Sequence, residues 1–179
     1  MPPRLLLSLL PLLCLTAAHA APPEPIERLD LDRYLGKWYE LAKYPNRFQK
    51  QCVSDTTASY AIAEDGRIEV LNRCRTDSGE FEEAEGVARL VGEAGSPKLK
   101  VRLAPAWLSW LPMVWGDYWV IDLDEAYTLV AISEPSREYL WILARDPDVP
   151  EQRIADLIAR LVARGFDPER IVRSTHGTR

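Results

Sequence analysis

Tyr60-Ala61-Ile62-Ala63-Glu64-Asp65-Gly66-Arg67-Ile68-Glu69-Val70 sets two segments rich in β-branched and aromatic residues on either side of Asp65-Gly66. Both turn residues tolerate positive φ, so the dipeptide predicts a type I′ β-hairpin. Outward from it, segments of the same character fall near 37–45, 53–63, 67–75, 82–92, 97–104, 115–123, 127–134 and 138–145. Asp77-Ser78-Gly79, Gly95-Ser96-Pro97, Asp124-Glu125 and Pro135-Ser136 mark further reversals. Connections this short join only antiparallel neighbours, and no crossover helix fits before residue 147.

Eight antiparallel strands with short turns favour closure, because closing the sheet removes its unpaired edges. The expected fold is therefore all-β: an eight-stranded antiparallel up-and-down β-barrel over 36–146. Such a barrel is just wide enough to be filled by side chains or to hold one small ligand. Near the C-terminus the apolar period changes to 3.6, with Ile154, Leu157, Ile158, Leu161 and Val162 forming one stripe from Glu151 to Arg164. Asp148 and Glu151 are expected to cap this amphipathic helix, within 147–166, and Gly165 to end it. Its stripe must be buried on the outside of the sheet, which accounts for apolar residues at both parities in Tyr127–Ile132 and Tyr139–Ala144. The tail, 167–179, has room for a short edge strand.

Residues 1–20 read as a secretory signal, with Arg4 at its start, an apolar middle from Leu5 to Leu15, and Ala18-His19-Ala20 as the cleavage site. A lipoprotein signal ending at Cys14 is the alternative, but that processing wants a small residue before the Cys, and Leu13 stands there. Cleavage after Ala20 leaves 159 of the 179 residues, the size of one domain. Residues 21–35, opening Ala21-Pro22-Pro23-Glu24-Pro25, form an extended leader. Two cysteines remain, Cys52 and Cys74, and in an oxidising compartment they are expected to pair; two separate buried thiols are the other reading.

With Arg4 gone, 22 basic residues become 21 against 27 acidic ones, a balance of −6 without a basic cluster. That argues against a nucleic-acid partner. His19 leaves with the signal and His176 lies in the tail, so a His-assisted nucleophile lacks its base. No His or Cys cluster has metal-ligand spacing, and the barrel has no haem-ligating His; no metal or cofactor is expected, and no enzyme. Glu40 is the one carboxylate placed to sit inside, near Arg145.

Aromatic residues point to a pocket instead. Tyr44, one of Tyr118 and Trp119, Tyr139 and Trp141 lie on strands, and Trp107 and Trp110 on a connection, Ala104–Trp115, that is unusually apolar for a loop. Plain core is the competing reading for each strand aromatic. Parity alone leaves open whether Tyr118, Val120 and Asp122 or Trp119, Ile121 and Leu123 look inward. The loop either packs down as a lid or meets something apolar, a membrane or a partner protein; the alternative makes it partly a core strand with its prolines at the edge.

Gly36-Lys37-Trp38-Tyr39-Glu40, then Tyr118 to Asp124 with Tyr127, then Tyr139-Leu140-Trp141-Ile142-Leu143-Ala144-Arg145 and a helix, resemble the lipocalin family in order and distance. The bacterial branch, related to plant temperature-induced lipocalins and apolipoprotein D, is the one it looks like, over about residues 30 to 175. The second motif departs, reading Leu123-Asp124-Glu125 where many members have Thr-Asp-Tyr. The resemblance implies a lipid-like ligand such as a fatty acid or lysophospholipid and the periplasmic face of the outer membrane as workplace. It also implies a structural motif of Gly36, Trp38, Asp124 and Arg145, with Arg145 lying across the Trp38 indole at the closed end. Monomer and homodimer both remain compatible with the sequence.

Overall fold

The computed structural model describes residues 21–177, so the signal and Cys14 lie outside the described residues. Eight strands form the barrel: β1 (Gly36–Lys43), β2 (Ser54–Ile62), β3 (Ile68–Arg75), β4 (Phe81–Leu90), β5 (Lys98–Arg102), β6 (Gly116–Leu123), β7 (Leu129–Ser133) and β8 (Leu140–Ala144). Each pairs antiparallel with the next, and β1 pairs with both β8 and β2, closing the ring. A helical turn, α1 (Leu31–Tyr34), precedes β1; α2 (Glu151–Ala163) and a short β9 (Val172–Arg173) follow β8.

The Asp65-Gly66 hairpin forms, but not as a type I′ turn. Gly66 alone of the pair has positive φ, +78°, and the Gly66 and Ala63 N–H groups donate to the Ala63 and Arg67 carbonyls. This is a three-residue loop in which a type I turn is followed by a left-handed glycine. Asp65 stays out of the left-handed region while its carboxylate accepts from the Arg67 N–H, 3.1 Å.

Two packed layers follow from strand alternation. Inside, Trp38, Ala58, Tyr60, Val70, Leu99, Val120, Val130, Ile132 and Leu143 form one cluster with Leu29 and Tyr34. Outside, Leu41, Ile121, Leu129, Ala131, Leu140 and Ile142 meet Ile154, Leu157 and Leu161 of α2 and Phe166 beyond it. The apolar doubling of β7 and β8 is thus one face for the cavity and one for the helix. Val162, expected in the stripe, is exposed, because it lies beyond the edge of the contact face. The helix ends as expected: Gly165 has φ +86°, and the Gly165 and Phe166 N–H groups donate to the Val162 and Leu161 carbonyls. Its start differs. Pro150 holds the N-cap position without a side-chain cap, so Asp148 is too far upstream to reach the first turn.

A bulge in β6 resolves its parity. Tyr118 and Val120 face inward and Trp119 outward, but the register shifts between Val120 and Asp122. Ile121 and Asp122 therefore both point outward, and Leu123 turns in. Asp122, expected to share a face with Tyr118, instead binds Arg160 of α2 through two bonds of 3.0 and 2.9 Å.

The two ends of the barrel are built differently. At the end where β1 starts, Asp30 caps α1, accepting from the Arg33 N–H, so the expected leader is not extended throughout. Arg145 lies 3.9 Å from the centroid of the Trp38 ring and donates to the carbonyls of Arg33, Tyr34, Leu35 and Lys37. Gly36 has φ +92°, and a Cβ there would stand 3.3 Å from an Arg145 nitrogen. Asp124 accepts from the Thr128 and Leu129 N–H groups and the Thr128 hydroxyl. Burial opposes its charge, but these bonds and Arg153 outweigh it and hold the carboxyl below its ordinary value.

At the other end, Cys52 and Cys74 form a disulfide that ties the start of β2 to β3. Closing a loop of this length stabilises by about 3 kcal/mol. Beyond Tyr39, β1 no longer pairs with β2, and the tail fills the gap. It pairs with β1 through β9, donates from the Ser174 N–H to the Leu41 carbonyl, and accepts at Thr175 from the Asp55 N–H.

Candidate functional site

Inside the ring, open at the disulfide end, lies a cavity of about 640 Å³. That is within the range of small-molecule sites. Val70, Ile132 and Leu143 give it apolar walls; its lining also carries polar residues, among them Thr56, Asn72, Arg73 and Glu83, and two hydrogen-bonded groups stand out.

One group lies along β8. Tyr139 and Trp141, two apart and so on one face, stack with centroids 5.9 Å apart, and Phe48 continues the ladder 5.5 Å from Tyr139. Asn46 sets Phe48 there by capping a short turn, Arg47–Gln49. In that turn Gln49 accepts from the Trp141 indole N–H at 2.9 Å and from Asn46 at 2.8 Å, and donates to Glu40 at 2.6 Å. Glu40 is buried with Lys43 2.9 Å and the Ser174 hydroxyl 2.6 Å from its other oxygen. Its expected neighbour Arg145 is spent on backbone carbonyls at the closed end, so Glu40 is a neutralised wall residue and not a free acid.

The second group is the floor. The Tyr118 hydroxyl lies 2.6 Å from that of Tyr34 and 2.9 Å from that of Tyr60. Tyr34 rises from α1 beneath the cavity, held by a bond of 2.8 Å from the Trp38 indole N–H to its carbonyl. Burial pushes the Tyr60 phenol up to about 12 and raises Tyr34 and Tyr118 well above their ordinary value, so all three keep their protons at neutral pH.

Of the aromatic candidates, Tyr118, Tyr139 and Trp141 meet at this cavity. Tyr44 does not. It is buried on the outside, where its hydroxyl donates to the Asp167 carbonyl and its ring lies 6.4 Å from Phe166. Trp119 also faces out, with the Lys98 ammonium 4.4 Å from its ring centroid. Trp107 and Trp110 stand clear of the cavity wall at 74% and 75% exposure, while Met113, 86% exposed, borders the cavity. Their loop is two short helical turns, Ala106–Leu108 and Pro112–Val114, so the core-strand alternative does not hold. Trp115 anchors it, donating to the Ser109 carbonyl under the guanidinium groups of Arg89 and Arg102.

Sequence reasoning missed Phe48, Gln49, Tyr60 and Tyr34. A polar side chain in a connection and a tyrosine in a helical turn carry no periodic signal, and nothing in spacing links positions 34, 60 and 118. Among the described residues, no group of three or more His, Cys, Asp or Glu could hold a metal ion. A second concavity, about 800 Å³, lies outside the barrel between the Ala21–Glu27 leader and α2. Two of its three cations, Arg160 and Arg164, are already paired with Asp122, and one wall is the leader alone, so the enclosed cavity is the better site.

Residues 29–176 match the Lipocalin-like domain family. The chain is 38% identical over 146 residues to temperature-induced lipocalin-1 of Arabidopsis thaliana, covering 80% of this chain and 77% of the relative. It is 38% identical over 151 residues to the outer membrane lipoprotein Blc of Vibrio cholerae, covering 83% and 84%. Among solved structures it superimposes on the cockroach allergen Per a 4 with a TM-score of 0.67 at 16% identity, covering 89% and 96% of the two chains.

Proposed function

The chain belongs to the lipocalin family, and from that premise we propose that its barrel carries one amphipathic small molecule of the fatty-acid or lysophospholipid class, for lipid storage or transport in a bacterial envelope. The observation that carries this reading is the cavity itself: apolar walls, an aromatic ladder at the mouth and buried polar groups that are mutually paired. No catalysis is proposed, since the two buried carboxylates, Glu40 and Asp122, are paired with Lys43 and with Arg160 and Arg164, and His176 is engaged with the Glu40 carbonyl.

The test is displacement of a fluorescent fatty acid by added palmitic acid or lysophospholipid, with native mass spectrometry of the bound form. One equivalent bound and displaced is the expected result. No uptake of either lipid would overturn the carrier reading.

The exposed Trp107, Trp110 and Met113 favour a role for the β5–β6 loop at a membrane. On β5, Lys98 and Lys100 point outward between inward Leu99 and Val101, Lys100 sharing its charge with Asp117 at 2.9 Å, while Arg102 is buried near the Trp115 ring. Indoles beside cations suit the interface of an anionic bilayer. Sedimentation with anionic vesicles is expected. Self-association without vesicle binding would move the loop to the alternative, a protein interface such as a homodimer.

The relative named an outer membrane lipoprotein supports placement at the envelope. We expect a periplasmic chain starting at Ala21, in keeping with the residues around Ala20; a mass corresponding to an acylated Cys14 would make it membrane-anchored instead.

A further inference from the structure

Tyr34, Tyr118 and Tyr60 form a row of three hydroxyl groups joined by two hydrogen bonds. Each hydroxyl brings one proton, and each bond uses one. Burial keeps all three phenols protonated, so one O–H remains with no acceptor in the row. Tyr34 lies beneath the cavity, while Tyr60 and Tyr118 line it, so the spare donor can be turned into the cavity at either of those two. A buried donor left without an acceptor is costly, and a bound molecule that supplies one is favoured by that amount.

The chemistry of the acceptor follows from what surrounds the floor. A carboxylate or phosphate there would be a buried anion needing a cation. Arg145 is the guanidinium nearest the row, and its donors are committed to the carbonyls of Arg33, Tyr34, Leu35, Lys37 and Tyr127 below Trp38. Of the cations that line the cavity, Arg47 stands in the turn at the mouth and Arg73 is paired with Glu83 at 3.4 Å, and Lys43 behind the wall is paired with Glu40. A charged headgroup is therefore excluded from the floor.

We propose that the floor is a subsite for a neutral oxygen acceptor at the buried end of the ligand, a hydroxyl, carbonyl or ether, held by the hydroxyls of Tyr60 and Tyr118. It follows that the protein prefers an acyl chain oxygenated near its far end over the plain hydrocarbon chain. This rests on the reading of the cavity as a lipid site.

The experiment compares purified protein binding palmitic acid with its ω-hydroxy and ω-oxo analogues, and the same set on the shorter lauric chain so that reach varies. Binding about tenfold tighter for an oxygenated analogue than for its parent acid is expected, and in the Tyr60→Phe/Tyr118→Phe variant that ratio is expected to fall to about one. Should that variant fail to fold, the carbonyl stretch of the isotopically labelled ω-oxo acid reports on the unaltered protein, and it is expected to move to lower frequency on binding. Parent acids that bind as well as every oxygenated analogue, with no carbonyl shift, would overturn the subsite while leaving the lipid cavity standing. Failure of all the acids to bind would overturn the cavity reading itself, and the subsite with it.

Discussion

The closed and open ends of this barrel are made by the same strands and differ in what terminates them. At the closed end, Arg145, Asp124 and the α1 turn satisfy the free backbone groups with side-chain and capping bonds, and Trp38 is fully buried beneath the guanidinium. At the open end, the connections carry Phe48, Trp107, Trp110 and Met113 into solvent, and what holds the strands together is the disulfide and a tail laid between β1 and β2. The cavity opens at the end that lacks this seal, and the proposed ligand would enter there. A binding barrel needs this division, because a floor that opened would lose its cavity and a mouth that was sealed could not load it.

The largest effect should come from the seal. Arg145→Ala strips partners from several carbonyls and uncovers the indole, and we expect a loss of about 3 kcal/mol in urea unfolding. Arg145→Lys should recover only part, since an ammonium can neither lie flat on the ring nor reach as many carbonyls. An unfolding curve for Arg145→Ala that matched the parent would break the contrast between the ends.

Next in size, replacing Cys52 and Cys74 together by Ser should cost about 2–3 kcal/mol, while the protein still binds lipid under native conditions. Loss of binding without loss of stability would mean that the bridge shapes the mouth and does more than secure it.

Acid should then loosen the open end first. The Arg75 guanidinium and the Gly177 N–H, bonded to Asp55, hold its carboxyl at about 2 against burial. A depressed folded value means that this bond contributes fully above the ordinary aspartate range and is lost as pH falls through about 2. Hydrogen exchange at Ser174 and Gly177 is expected to quicken between pH 4 and pH 2, ahead of exchange in β6 and β7.

The smallest effect on folding should come from Trp107→Ser with Trp110→Ser. Both indoles are largely solvated, so stability should move by less than about 0.5 kcal/mol while binding to anionic vesicles falls. A large loss of stability would show that the loop packs in solution as a lid.

How much of this was legible in sequence varied with the range of the signal. The eight strands and their order read correctly because period and turn chemistry are local, as at Gly66 and Gly79, each a left-handed residue closing a hairpin. The helix stripe read correctly for Ile154, Leu157 and Leu161, and failed at Val162, where contact with the sheet ends. The site was only half visible. Tyr139 and Trp141 share a face by parity, but Tyr44, equally aromatic and equally on a strand margin, serves the outer core. The β6 bulge shows why: one added residue reverses the parity of everything after it.

Sequence by itself determined that the chain is a closed antiparallel barrel with one outer helix and one cystine, since hydrophobic period, turn residues and thiol count act within a few residues or are simply counted. Only the tertiary structure decided which face of β6 looks inward, that the tail bridges β1 and β2, and that Tyr34, Tyr60 and Tyr118 meet at one floor. Those depend on ring closure and on residues as far apart as Tyr34 and Tyr118 or Leu41 and Ser174, and no local pattern of side chains encodes such a meeting before the chain has folded.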